Sequence, residues 1–179
     1  MRCGSIRAEA NPVTVREAIT IRPAGPDDSE AIVAMATRLT AFERSLGSHD
    51  SSRTCRLAVS DLAKHCFCER PLFHILVAER DSGLFGYALY CLVFDTELAA
   101  VGLWLGDLYV DPEVRGHGVG LAILRAVAEA CQAHDATWIA WQVQRNNIDA
   151  QRFYDRFAER DPDLVYWTEL KDFRAALSS

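Results

Sequence analysis

The segment from Leu108 to Gly120 (Leu-Tyr-Val-Asp-Pro-Glu-Val-Arg-Gly-His-Gly-Val-Gly) constrains the fold of this chain more than any other. A β-rich apolar run ends at Asp111-Pro112, glycines alternate at 116, 118 and 120, and a helical pattern starts near Gly118. Glycine takes up backbone conformations that other residues avoid and lets the main chain approach a ligand closely. Where a buried strand hands over to a helix, several N–H groups and the positive end of the helix dipole aim at one spot. That makes an anion site, and pyrophosphate is its usual occupant. Arg115 adds a permanent cation. A dinucleotide fold would instead carry GxGxxG in its first βαβ unit, with an acid about twenty residues further on. The glycines here have a different register and follow three strands, and the GKS or GKT of a nucleotide-triphosphate loop is missing.

Periodicity orders the rest of the chain. Residues 18–23 alternate as a first strand, and Gly25-Pro26-Asp27-Asp28 opens a helix with its carboxylates at the positive end of the dipole. Ile32, Met35, Ala36, Leu39 and Phe42 then recur at helical spacing up to about Ser45. After a polar loop over 46–54, a less regular helix is expected from Leu57 to Phe67. Strands over 72–79 and 84–94 flank the turn sequence Arg80-Asp81-Ser82-Gly83, and a third strand over 99–110 is apolar on both faces toward its end, hence interior to a sheet. A helix follows from Gly118 to His134, with Leu121, Leu124, Val127 and Cys131 on one face. Then come a strand over 137–143, a helix from Asn147 to Phe157, a strand over 163–170 and a short terminal helix. The result is one α+β domain over 19–179 behind a loosely ordered leader, 1–18.

Charge and cysteine usage narrow the setting. Nineteen Lys and Arg against 25 Asp and Glu give 19 − 25 = −6, a poor match for nucleic acid. No run approaches the roughly 18 apolar residues that span a bilayer, and the N-terminus lacks a secretory apolar block. Six cysteines without CxxC spacing read as reduced thiols of a cytoplasmic protein. Cys66 and Cys68 beside His65 lack further partners at zinc spacing, so no metal is expected and buried thiols are preferred.

Arg115-Gly116-His117-Gly118-Val119-Gly120 matches the acyl-CoA loop R-x-x-G-x-G/A without a gap. Together with residues 19–32, 71–79 and Asn147-Ile148-Asp149-Ala150-Gln151-Arg152-Phe153-Tyr154, it resembles the GNAT superfamily of N-acetyltransferases, in particular the diamine and spermidine/spermine branch. The resemblance implies a mostly antiparallel mixed central sheet, flanked by helices, with a splayed central strand pair. It implies acetyl-CoA as co-substrate. The strand Leu108-Tyr109-Val110 would hold the pantetheine, with the backbone of Leu108 and Val110 pairing to it. The amides of Arg115, Gly116, His117, Gly118, Val119 and Gly120 would hold the pyrophosphate, and Asn147 would hydrogen-bond the cofactor. Tyr154 would donate to the thioester sulfur, a role its phenol suits, since thiols ionise near 8.5 and phenols near 10.

The same resemblance implies a small primary amine as acceptor and a homodimer, with no nucleic acid or membrane partner. Glu43 and Asp107 are the pair chosen to hold the cationic amine, since each buried ammonium needs a carboxylate. Glu43 reads equally as a solvated helix-end residue, and Asp107 as a structural carboxylate. Relatives often carry an acid directly before Asp107, acting as base through water, whereas this chain has Gly106. Asp107, Glu43, Asp95 and Glu97 remain open as the base. A peptide N-acetyltransferase and a non-catalytic acyl-CoA-binding domain are the alternatives.

Overall fold

The computed structural model describes residues 19–47, 54–162 and 177 of the 179. They fall into two compact units, one ending at Gln144 and the other beginning at Arg145. The leader, the strand expected over 163–170 and, apart from Leu177, the terminal helix lie outside the described residues.

In the first unit, strands β1 (Thr20–Pro23), β2 (His74–Arg80), β3 (Gly83–Asp95), β4 (Ala100–Val110) and β5 (Trp138–Trp141) form one sheet in that order. Neighbours run antiparallel except β4 and β5, which are parallel. A parallel pair needs a crossover, here the helix α3 (Val119–Ala133). The helices α1 (Ser29–Ser45) and α2 (Val59–His65) cover the opposite face of the sheet. Alternation along each strand divides the core accordingly. Leu76, Ala78, Leu103, Leu105, Val119, Ile123 and Val127 pack on the α3 side, while Ile32, Met35, Leu62, Ile75, Val77, Tyr87 and Tyr109 pack under α1 and α2. Among the described residues, no helix is long and apolar enough to cross a membrane.

The described elements lie where the periodicity placed them, most with shorter ends, while β3 runs one residue further at each end than expected. Pro26–Asp28 forms a turn of 3-10 helix before α1, in which the Asp28 carboxylate accepts the Gly25 N–H at 2.7 Å. Arg22 of β1 grips both Asp28 oxygens and also Glu79 of β2, tying the first strand to the first helix and holding the Asp28 carboxyl below its ordinary range. The buried face of α3 centres on Ile123 and Val127, with Leu121 at its margin. Arg80 pairs with Gly83 across the two-residue turn Asp81-Ser82, where Gly83 has φ +115°. Cys66 is half-buried and Cys68 exposed, so the packed-thiol expectation applies to the first of them only.

In the second unit, α4 spans Ile148–Tyr154 rather than reaching Phe157. The Asn147 side chain caps it, accepting the Ala150 N–H at 3.1 Å.

Candidate active site

Strand β4 organises the candidate site in the first unit, through two irregularities. The first is a bulge. Leu89 of β3 pairs with Asp107 and Tyr90 with Leu105, so Gly106 is an extra residue with no partner opposite. One extra residue inverts the parity of a strand. Leu103 and Leu105 therefore point toward α3, whereas Asp107 points with Tyr109 to the α1–α2 side. The glycine at 106 is itself exposed, and a Cβ there would press on Leu89 Cδ2 at 3.1 Å.

The second irregularity is the early end of β5. Its four residues pair with Gly102, Leu103, Trp104 and Leu105 only. Beyond them, the outer side of β4 from Gly106 to Val110 has no strand beside it among the described residues. The Asp111 N–H donates to Phe85 O at 2.8 Å, so Asp111, Tyr109 and Asp107 turn their backbone groups toward β3. Alternation then turns those of Leu108 and Val110 outward. The Val110 carbonyl confirms the direction by accepting Arg115 Nε at 2.9 Å. At its inner end, this gap is bounded by Trp141, the last residue of β5, which pairs with Leu105.

The loop at the end of β4 has the geometry its glycines called for. Gly116 (φ +78°) and Gly118 (φ +83°) are left-handed, and a Cβ on either would meet nothing within 4 Å. Gly118 caps α3 without a side-chain hydrogen bond, so the first amides of that fifteen-residue helix are unsatisfied within the helix. Open space over left-handed glycines, bare helix amides and two outward strand residues fit the pyrophosphate and arm of an acyl-CoA. Arg115 is placed differently from a phosphate ligand. It braces the loop against Val110 O and lies over the Phe42 ring of α1, 5.0 Å from its centroid. His117 is exposed, with Nδ1 2.9 Å from Arg115 O, and Val119 is buried, so only its main chain faces the loop.

Tyr109 is spent on the core. Its hydroxyl accepts Arg38 Nε at 3.0 Å and donates to Asp111 Oδ1 at 2.6 Å, with Arg38 and Asp111 paired at 3.3 Å. Asp107 has a neighbouring phenol but no such cation among the described residues. Tyr87 donates to its Oδ2 at 2.8 Å. Burial pushes the Asp107 carboxyl above its usual range, and the Tyr87 bond opposes that only in part. Burial first, then the Asp107 charge, drives the Tyr87 phenol far up, and the charges of Cys55 and Glu43 add to it. Asp107 thus meets Tyr87, a residue that sequence reasoning missed, and Glu43 and Cys55 act on that phenol through their charge. Its signal was the GYALY alternation of β3, which gives no hint of what lies across the strands.

In the second unit, Tyr154 packs in a ring cluster with Phe153 and Phe157 at centroid distances of 5.2 and 6.1 Å. Burial pushes its phenol up to about 12, so it is protonated at neutral pH. Among the described residues, no three His, Cys, Asp or Glu side chains group to hold a metal ion.

Residues 41–158 match the acetyltransferase (GNAT) family, across both units. The chain is 30% identical over 151 residues to thialysine N-epsilon-acetyltransferase of Sus scrofa, covering 80% of this chain and 85% of that protein. It is 28% identical over 142 residues to spermine/spermidine N(1)-acetyltransferase of Bacillus subtilis, covering 78% of this chain and 86% of the other. A solved ribosomal-protein-alanine N-acetyltransferase of Brucella melitensis superposes with a TM-score of 0.66 at 17% identity, over 86% of this chain and 100% of that one.

Proposed function

Because the chain belongs to the acetyltransferase (GNAT) family and is an acetyl-transferring enzyme, we propose that its acceptor is a small cationic primary amine. The two units would then serve one N-acetyltransferase domain. The observation that carries the reading is the unpaired outer edge of β4, which leads from the glycine loop to the bulge beside Asp107. Two relatives act, by name, on thialysine and on spermine or spermidine, amines of the proposed class.

Acetyl-CoA, when bound, supplies a thioester carbonyl activated toward amines. The outward main chain of Leu108 and Val110 would hold its arm, the amides of residues 115–120 its pyrophosphate, and Asn147 would add a hydrogen bond. Glu43 and Asp107 would hold the ammonium, whose burial requires a carboxylate. An ammonium must lose two protons on becoming an amide, one ending on the coenzyme sulfur and the other in bulk water. Tyr154 Oη, protonated at neutral pH, is the donor to that sulfur as charge develops there. The reading also carries a homodimer in the cytoplasm. A monomeric mass by light scattering at micromolar concentration overturns the dimer.

The test is thiol release from acetyl-CoA against polyamines, lysine analogues and short peptides, with a no-amine blank. Release with the cationic amines is expected, and Tyr154→Phe should lower turnover with little change in acetyl-CoA affinity. Release only with peptides or neutral amines overturns the acceptor class. Binding of acetyl-CoA with no amine-dependent release would leave a binding domain instead.

A further inference from the structure

Resting on the acetyltransferase reading, we propose that Arg115 of the glycine loop is a positioning residue for the acceptor amine. Seated on Phe42, it fixes the end of α1 that carries Glu43. Its place in the loop predicts another task, that of a cation for the pyrophosphate. Its guanidinium is engaged elsewhere. Nε donates to Val110 O at 2.9 Å, and Cζ stands 5.0 Å from the centroid of the Phe42 ring. Nothing, Arg115 included, lies within 4 Å of where a Cβ on Gly118 would stand, so this side chain does not cover the open glycine face.

The need for such a contact follows from how α1 is buried. Its first half is anchored by apolar packing, with Ile32, Met35 and Ala36 buried in the core beneath the sheet. Its second half has no fully buried residue, and Arg44 and Ser45 are exposed. There the helix is tied to β4 and the loop behind it through two arginines. Arg38 donates to Tyr109 Oη at 3.0 Å and pairs with Asp111 at 3.3 Å. Four residues on, along the same face of the helix, Phe42 receives Arg115. Glu43 follows directly, half-buried, and its charge acts on the Tyr87 phenol that donates to Asp107. Phe42 and Glu43 share one turn, so a displacement of the ring carries the carboxylate with it. A carboxylate offered from a helix meets an ammonium at a strand only if the two elements keep their spacing, because charge attraction falls with distance. Arg115 keeps that spacing at the end of α1 where the apolar core no longer does. The loop whose amides would hold the pyrophosphate thus also steadies the helix that would hold the amine.

The experiment compares wild type, Arg115→Gln, Phe42→Leu, the double variant and Phe42→Tyr. It measures kcat and the amine KM of thiol release at saturating acetyl-CoA, and acetyl-CoA affinity by calorimetry. Arg115→Gln and Phe42→Leu should each raise the KM for a cationic amine by about threefold to fivefold, the worth of one exposed cation–ring contact. Acetyl-CoA affinity and kcat should both stay within about twofold of wild type. The double variant should be no worse than either single one, because both substitutions remove the same contact. Phe42→Tyr, which keeps a ring under the cation, should retain the wild-type KM. An amine KM unchanged in Arg115→Gln or Phe42→Leu overturns the assignment, as do additive effects in the double variant or a Phe42→Tyr as impaired as Phe42→Leu. So does acetyl-CoA affinity lowered about tenfold or more in Arg115→Gln, which would make the guanidinium a phosphate ligand. If wild type itself binds acetyl-CoA yet releases no thiol with any amine, the acetyltransferase reading has failed and takes this assignment with it.

Discussion

Two aspartates lie four residues apart at the end of β4, and each accepts a hydrogen bond from a buried tyrosine of the core. Asp111 accepts Tyr109 and is paired with Arg38, so its charge is answered inside the fold. Asp107 accepts Tyr87, has its carboxyl raised by burial, and has no paired cation among the described residues. A carboxylate neutralised by the protein's own arginine serves the structure. One left as an acceptor without a cation costs stability, and retention at such a cost is characteristic of a functional group. The contrast separates a structural carboxyl–phenol pair from one of the same chemical composition that the proposed function places at the acceptor.

The largest effect expected is that of Asp111→Ala, which should destabilise by about 2 kcal/mol, because the buried Tyr109 hydroxyl keeps Arg38 but loses its acceptor. A urea midpoint equal to wild type would refute the structural role given to Asp111.

Asp107→Asn should do the opposite, and its pH dependence sharpens the comparison. The folded carboxyl is raised above its unfolded value, so the native state binds more protons than the unfolded chain between the two. Wild type therefore loses stability relative to Asp107→Asn as pH rises through that window, from about 4 upward. Below about pH 4 the two proteins should converge, and at neutral pH the variant should be the more stable of the two. Denaturant midpoints measured across pH 3 to 8 check the sign, and a parallel offset at every pH counts against it. The smallest effect is Tyr109→Phe, about 1 kcal/mol, because Arg38 and Asp111 remain paired without the phenol between them. A loss much above that would mean the hydroxyl, rather than the ion pair, holds α1 to β4.

Much of this molecule was legible in one dimension. Apolar spacing located every described α-helix and strand, since periods of 2 and 3.6 residues are local properties of a backbone with one face to bury. The alternating glycines announced left-handed turns at 116 and 118 because only the missing Cβ makes those conformations inexpensive. What stayed hidden belongs to pairs of segments. A bulge is a mismatch between two strands, so the LGDLYV run by itself could not tell which face Asp107 would take. Arg115 read as a cation for phosphate, yet the position of Val110 O and of the Phe42 ring decides where its guanidinium lies. Nothing in the sequence singled out Tyr87, whose hydroxyl reaches Asp107 only because β3 and β4 are paired in this register. Composition and periodicity determine which surfaces must be buried, whereas the register between strands, summed over the whole sheet, decides which buried polar groups meet.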